Sequence, residues 1–347
     1  MRVSVTYDLR NPPQWRVPFD RFYREALDHM AFVEELGFDG IWLQQHHFEE
    51  AGYGPPFAAF AGALAVKTQR VRVGSYIKIL PLYHPLLVAE EMAVLDNLLG
   101  GRLDVGVGVG HRMLEFKALD VPHKQRPSRM EEGIEVMRRA WTEDRVTFEG
   151  RRFSFRDVEV QPKPMQKPHP PLWMAARTVA AAQRAGRLRC HLLPGTNDPE
   201  VFRAYAAALR DVGEDPAKYQ VTMGLSVTLT REDPEKVWQR LRPHSEYRWQ
   251  FYDTIIDEFG DPPLRAGYSE VAGQAGDAQD RYRDRELIGD PDTILRAIER
   301  LRETWSWDGL GVTEVIVRTP PPGVPLEEHR SSFELFAREI MPVLRRW

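Results

Sequence analysis

The stretch GGRLDVGVGVGHR, Gly100 to Arg112, decides how this chain is read. Gly100-Gly101 closes a helical pattern. Leu103, Val105, Val107 and Val109 then supply one face of a strand, while Gly106, Gly108 and Gly110 strip the side chains from the other. Glycine weakens a strand, so its return at alternate positions implies that a ligand or a packed neighbouring strand lies close to the backbone. One reading is a dinucleotide-binding turn. Against it, the spacing is G-x-G-x-G rather than G-x-G-x-x-G, it lies well inside the chain, and Arg126 stands about where a ribose-binding acid is expected. The other reading is one strand of a closed barrel with a cofactor over its C-terminal end, and the rest of the chain favours it.

Upstream, Val3 to Leu9 alternates as a first strand and Asn11-Pro12-Pro13 breaks it. Helical spacing over Phe19 to Leu36 stops at Gly37. A second strand follows from Gly40 to His47, then a helix from Ala58 to Thr68, a third strand from Val71 to Leu82 and a helix from Pro85 to Leu99. Together with the opening stretch this makes four βα steps, the signature of a parallel sheet flanked by helices.

Downstream, a helix from Ser128 to Trp141 leads into VTFEGRRFSF, an appended hairpin turning at Glu149-Gly150, and then into the proline-rich connection Val160 to Pro171. Strands follow at Leu172 to Ala176, His191 to Pro194, Val221 to Leu229 and Thr313 to Arg318. Helices are expected at Thr178 to Leu188, Pro199 to Val212, Pro291 to Glu303 and Ser331 to Arg345. The expected fold is therefore an α/β (β/α)8 TIM barrel, one domain over 1–347. Residues 243–289, between strands seven and eight, are too long for one helix and read as an insertion, either a lid or a disordered linker.

Composition narrows the function. With 47 basic and 51 acidic residues the net charge is −4, which gives no reason to expect nucleic acid or an acidic membrane surface. The single cysteine, Cys190, excludes an intramolecular disulfide and a cysteine-based metal cluster and fits a reducing cytoplasm. No run reaches membrane-span length, no metal-ligand set stands out, and neither a G-x-S-x-G elbow nor an H-E-x-x-H helix is present.

Four segments in this order and spacing carry a resemblance: ELGFDGIWLQQHHF (Glu35 to Phe48), Arg70 to Gly110, EGIEVMRRAWTEDRVTFEGRRF (Glu132 to Phe153) and QPKPMQKPHPPLWMAA (Gln161 to Ala176). Over most of its length the chain resembles the bacterial luciferase-like flavin monooxygenases, TIM barrels that bind FMN or the deazaflavin F420 and assemble as dimers or larger oligomers. The resemblance implies that His46 acts in acid–base chemistry near the flavin. On a strand, His46 and its neighbour His47 would face opposite ways, leaving one functional and one structural, or both as packing residues. Gln44 and Gln45 depart from the acidic residue that often precedes this pair.

The resemblance further places a β-bulge with a non-prolyl cis peptide at Tyr76-Ile77; the alternative is an ordinary strand. Gly108 and Gly110 belong to the same cofactor wall. For the phosphate, the helix N-terminus at Ala175-Ala176-Arg177-Thr178 is the physical candidate. Val109 replaces a family arginine, so Arg112 or Arg177 would supply that charge, unless Arg177 is simply solvated. Tyr7, Trp42 and the aromatics of the insertion would wall an apolar substrate pocket, although Trp42 suits barrel packing equally.

The implied activity is a monooxygenase in which reduced FMN from a partner flavin reductase reacts with O2 to form a C4a-hydroperoxide that oxygenates a small organic substrate. Alternatives are an F420-dependent dehydrogenase or reductase and a non-catalytic flavin-binding subunit. A homo-oligomer is expected, with Leu95, Leu98 and Leu99 either at its interface or covering the barrel.

Overall fold

Eight parallel strands form the central sheet: β1 (Arg2–Tyr7), β2 (Gly40–Leu43), β3 (Arg72–Ser75), β4 (Leu103–Gly108), β5 (Leu172–Ala176), β6 (His191–Pro194), β7 (Thr222–Leu225) and β8 (Glu314–Arg318). Their order runs β7-β8-β1-β2-β3-β4-β5-β6, and a parallel bridge between Leu192 and Val221 joins β6 to β7. A sheet that meets itself has no free edge, so this is the expected barrel. The structure is a computed structural model that describes residues 1–54, 56–257 and 282–347, with backbone alone at 254–257.

The strands are short and rich in valine and leucine, and their outward side chains pack against the helices in one core that includes Val3, Val5, Val73, Val105, Val107, Met30 and Met92. Inside the barrel, Trp42, Trp173, Leu193 and Ile316 form a second cluster. Below it the N-terminal ends of the strands close with buried polar pairs. Glu314 accepts Trp42 Nε1 at 2.8 Å and pairs with Arg2. Asp104 accepts Trp173 Nε1 at 3.0 Å and pairs with Arg72 Nε at 2.6 Å.

Several boundaries differ from the sequence reading. The second strand ends at Leu43, so His46 and His47 lie in the loop beyond it and the opposite-faces argument does not apply. The third strand, expected over Val71 to Leu82, stops at Ser75 and resumes as Lys78–Ile79 after a cis Tyr76-Ile77 peptide. Residues Val227–Leu229, expected to continue strand seven, leave the barrel and pair in parallel with Leu287–Gly289. The hairpin is present, Val146–Glu149 against Ser154–Val158. A short helix not read from the sequence spans Met113–Ala118.

The insertion starts differently as well. A helix runs from Pro234 to Asp257 straight through Pro243, where the sequence reading began its loop. Residues 258–281 of the expected insertion lie outside the described residues. Among the described residues, no helix is long and apolar enough to cross a membrane.

Candidate active site

The alternating glycines of β4 meet the irregular end of β3. A Cβ on Gly106 would stand 2.0 Å from the Ser75 carbonyl oxygen, one on Gly108 2.5 Å from Ile77 Cδ1, and one on Gly110 2.5 Å from Ile79 Cγ2. Ser75, Ile77 and Ile79 recur with the same period of two, so the space left at Gly106 is taken by the Ser75 backbone carbonyl and that at Gly108 and Gly110 by the Ile77 and Ile79 side chains. The close approach is thus by packed protein, and it seats Tyr76 and Ile77 on the wall of a cavity of about 420 Å³ at the C-terminal mouth of the barrel. That is the end at which barrel loops assemble sites, and the volume is within the ordinary range for small-molecule pockets.

His46, Gln44 and Gln45 line this cavity from the loop after β2. The carboxylate missing from the sequence around His46 comes from elsewhere: Glu115, fully buried in the short helix Met113–Ala118, lies with Oε1 3.2 Å from His46 Nδ1 and accepts the His47 backbone N–H at 2.8 Å. With Nδ1 donating to Glu115, Nε2 is left as the nitrogen for proton exchange. His111, the penultimate residue of the opening stretch, also lines the cavity, with its ring 5.1 Å from that of His46. Burial, reinforced by His46 and by Arg177, Arg112 and Arg126, holds His111 well below the ordinary histidine range, so it is neutral near pH 7.

His47 does not line the cavity. Its Nε2 lies 2.6 Å from the Tyr83 hydroxyl and 3.0 Å from Gln45 Nε2, and burial lowers its pKa. Arg112 is also absent from the wall: it donates to the His47 carbonyl at 2.8 Å and pairs with Glu49.

The other cofactor candidates gather on the arc formed by β4, β5 and β6. Gly108, Gly110, Ala175, Ala176, Arg177 and Thr178 all line the cavity. Thr178 caps the helix Val179–Arg187 by accepting Ala181 N–H at 3.3 Å, and its hydroxyl hydrogen stays available to an anion. The Arg177 stem fills the place of a side chain at Gly195, where a Cβ would stand 2.4 Å from Cγ. Two arginines not selected from the sequence, Arg126 and Arg184, complete this end. Arg126 is anchored on the Gly110 carbonyl at 2.6 Å and Arg184 on Glu131 at 2.7 Å.

The opposite arc, β7, β8 and β1, contributes Met223, Gly224, Arg318, Thr319, Thr6 and Asp8, roofed by Arg248, Trp249 and Tyr252 of the helix Pro234–Asp257. Asp8 is gripped by Arg10 through Nε–Oδ1 at 2.7 Å and Nη2–Oδ2 at 2.6 Å. Burial pushes the Asp8 carboxyl up, but Arg10 and then Arg248 outweigh it and hold the group below its usual value. Gln44, Tyr53 and Tyr252 share hydroxyl and amide hydrogen bonds beside it.

The two residues proposed from sequence for the substrate wall are elsewhere. Tyr7 points outward, its hydroxyl 2.7 Å from His29 Nδ1, and Trp42 belongs to the barrel's interior cluster. The neighbouring Thr6 takes the wall position in place of Tyr7, because alternate residues of β1 face opposite sides.

The luciferase-like monooxygenase family matches residues 9–306 of this chain. The chain belongs to that family. An FMNH2-dependent dimethylsulfone monooxygenase from Pseudomonas putida is 26% identical over 95% of this chain and 90% of its own. An F420-dependent glucose-6-phosphate dehydrogenase from Microbacterium testaceum is 32% identical, but the match covers 51% of this chain and 54% of that protein. The first relatives in similarity are thus matched over only about half of their own length. Among solved structures, the monooxygenase RslO1 from Streptomyces bottropensis superposes with a TM-score of 0.82 at 27% identity, covering 99% of this chain and all of that one. An F420-dependent secondary alcohol dehydrogenase shares the fold at a TM-score of 0.74 and 19% identity, covering 98% of each chain.

Proposed function

We propose that this protein is a flavin-dependent monooxygenase that takes reduced FMN from a separate flavin reductase and uses O2 to oxygenate a small organic substrate. The observation that carries the reading is one cavity with a cationic pole at a helix N-terminus, an apolar plate, and a histidine oriented by a buried carboxylate. The donor set fits FMN. Arg177, Arg126, Arg184 and the Thr178 hydroxyl would hold its phosphate, and Tyr76, Ile77, Ala175 and Leu193 would flank its ring. When bound, reduced FMN supplies the electrons that activate O2.

The chain's own residues do the rest. Glu115 fixes the His46 ring so that Nε2 can give or take a proton at the cavity, and burial keeps the neighbouring His111 neutral. Arg248, Trp249 and Tyr252 roof the mouth and shield it from water, the role expected of a lid. A compact phosphate pole enclosed by three arginines favours FMN over F420, whose longer anionic tail needs an open groove.

The outer face of the helix Pro85–Leu98 supports the reading that identical chains assemble as an oligomer. Leu95 and Leu99 are buried against the barrel, whereas Leu87, Val94 and Leu98 are 65%, 43% and 57% exposed on its outer face. A cytoplasmic setting suits both the reductase and the free Cys190.

The test is anaerobic titration with reduced FMN and with F420, followed by admission of O2. Tight binding of reduced FMN and reoxidation slower than that of free reduced FMN support a monooxygenase; preferential binding of F420, with no reaction on O2, contradicts it.

A further inference from the structure

Building on the flavin reading above, we propose that Arg10 is a positioning residue: held on Asp8 just beyond β1, it seats the turns of the roof helix Pro234–Asp257 that carry Tyr247, Phe251 and Tyr252, and so sets how tightly the cavity closes over its ligand. Arg10 is buried, and its fork grips Asp8 through Nε at 2.7 Å and Nη2 at 2.6 Å. The third guanidinium nitrogen, Nη1, is buried with no hydrogen-bond acceptor among the described residues. Aromatic rings surround the group instead. Arg10 Cζ lies 4.4 Å from the ring centre of Tyr53, 5.1 Å from Phe251, 5.6 Å from Tyr247 and 5.9 Å from Tyr252. A guanidinium taken out of water is attracted to such π faces, and the attraction offsets part of the cost of the unbonded N–H. Three of the four rings stand on the roof helix. The fourth, Tyr53, packs against Phe251 at 5.3 Å and shares a hydroxyl hydrogen bond with Tyr252.

The backbone is bent to make this seat. Leu9, between the two charged residues, has φ 53°, a left-handed conformation that leucine rarely adopts, and it brings Arg10 back over Asp8. Strain of that kind persists only where the surrounding contacts hold it, and it collects at functional positions. The helix is tied down at other points too. Arg248 lies 3.8 Å from Asp8 and 3.9 Å from Glu286 and donates to the Thr319 and Pro320 carbonyls at 2.7 and 2.6 Å, and Ser245 donates to Glu286 at 2.8 Å. Those contacts fix the helix to the barrel, whereas the rings around Arg10 fix the side chains nearest the chemistry. Phe251 lies 5.4 Å from the His46 ring, and Tyr252 lines the cavity and donates to Gln44 at 3.2 Å. Arg10 itself does not line the cavity, so it acts through them.

The test is amide hydrogen exchange on the flavin-free protein, read by mass spectrometry, with the release of reduced FMN measured anaerobically as a second arm. R10M should speed exchange over 244–253 at least about tenfold while the strands β2 to β5 keep their protection. R10K, which keeps a cation for the rings and for Asp8, should restore part of it. Y247L removes one ring outside the cavity wall and leaves the buried pair intact; it should speed exchange over the same segment by about threefold. In protein loaded with reduced FMN, R10M should release the flavin at least about threefold faster, again with partial recovery in R10K. Unchanged exchange over 244–253 in a folded R10M, or in Y247L if R10M does not fold, overturns the proposal. Protection lost equally from the strands overturns it as well, by making Arg10 a support of the whole barrel. A loosened helix with unchanged flavin release overturns the link between the seat and the cavity. If the unmodified protein takes up no reduced FMN, the flavin reading fails, and the exchange arm decides the seat separately.

Discussion

The two ends of the barrel carry similar chemistry arranged to opposite effect. At the N-terminal end, Arg2 meets Glu314, Arg72 meets Asp104, and both carboxylates also accept an indole N–H from inside the barrel. At the C-terminal end, five arginines surround a cavity whose described wall contains one carboxylate. The first arrangement satisfies its charges between neighbouring strands and serves stability; the second sets guanidinium groups around a cavity, which under the function proposed above serves to hold an anionic cofactor. The same strands run through both ends. What separates them is the step from short packed strands with inward tryptophans to loops and helix N-termini.

The contrast predicts where substitutions act. Trp173→Ala, which empties the interior cluster and removes the hydrogen bond to Asp104, should cost about 3–5 kcal/mol in urea unfolding. A loss below about 1 kcal/mol would mean that the lower barrel is not the stabilising half. Gly106→Ala should cost about 1–3 kcal/mol, because its Cβ would stand 2.0 Å from the Ser75 carbonyl and the β3 segment behind Tyr76-Ile77 must shift. That variant should also weaken reduced FMN binding, and retention of full stability and affinity would show that the glycine is not needed for the close approach.

A smaller effect sharpens the comparison from the surrounding shell. Burial holds His29 and His329 at about 4, so both stay neutral in the folded chain while the unfolded chain takes up protons from about pH 6.5 downward. Stability should therefore fall with acidification through that window, by about 1 kcal/mol per histidine between pH 7 and 5.5. Glu314, pushed up by burial, works in the opposite sense and gains a proton more readily when folded. Denaturation at the two pH values checks the sign: a flat profile in which His329→Gln changes nothing would remove the shell from the account.

How much of this could be read from the sequence follows from what each feature depends on. The eight strands are legible because each is a short apolar run bounded by turn signals and alternating with helical pattern, and the glycine periodicity of β4 signals a close approach. The ends of strands two, three and seven were not, because hydrophobic pattern continues past the point where a bulge, or pairing with Leu287–Gly289, takes the chain out of the sheet. The insertion expected over 243–289 begins inside the helix Pro234–Asp257, which passes through Pro243 and carries Arg248, Trp249 and Tyr252 to the mouth. His46 and Arg177 stood at recognisable places. Glu115 did not, since its contact with His46 joins residues 69 apart in the chain. Arg318 was visible as the last residue of the eighth strand, but only the barrel's register shows that it faces inward.

The most direct test of the division between a paired base and an anion-binding mouth is an anaerobic titration of reduced FMN into the unmodified protein and into Arg177→Met. The account predicts that the substitution weakens binding about 10–100-fold while moving unfolding stability by less than about 0.5 kcal/mol. Unchanged affinity, or a loss explained by unfolding alone, would contradict it.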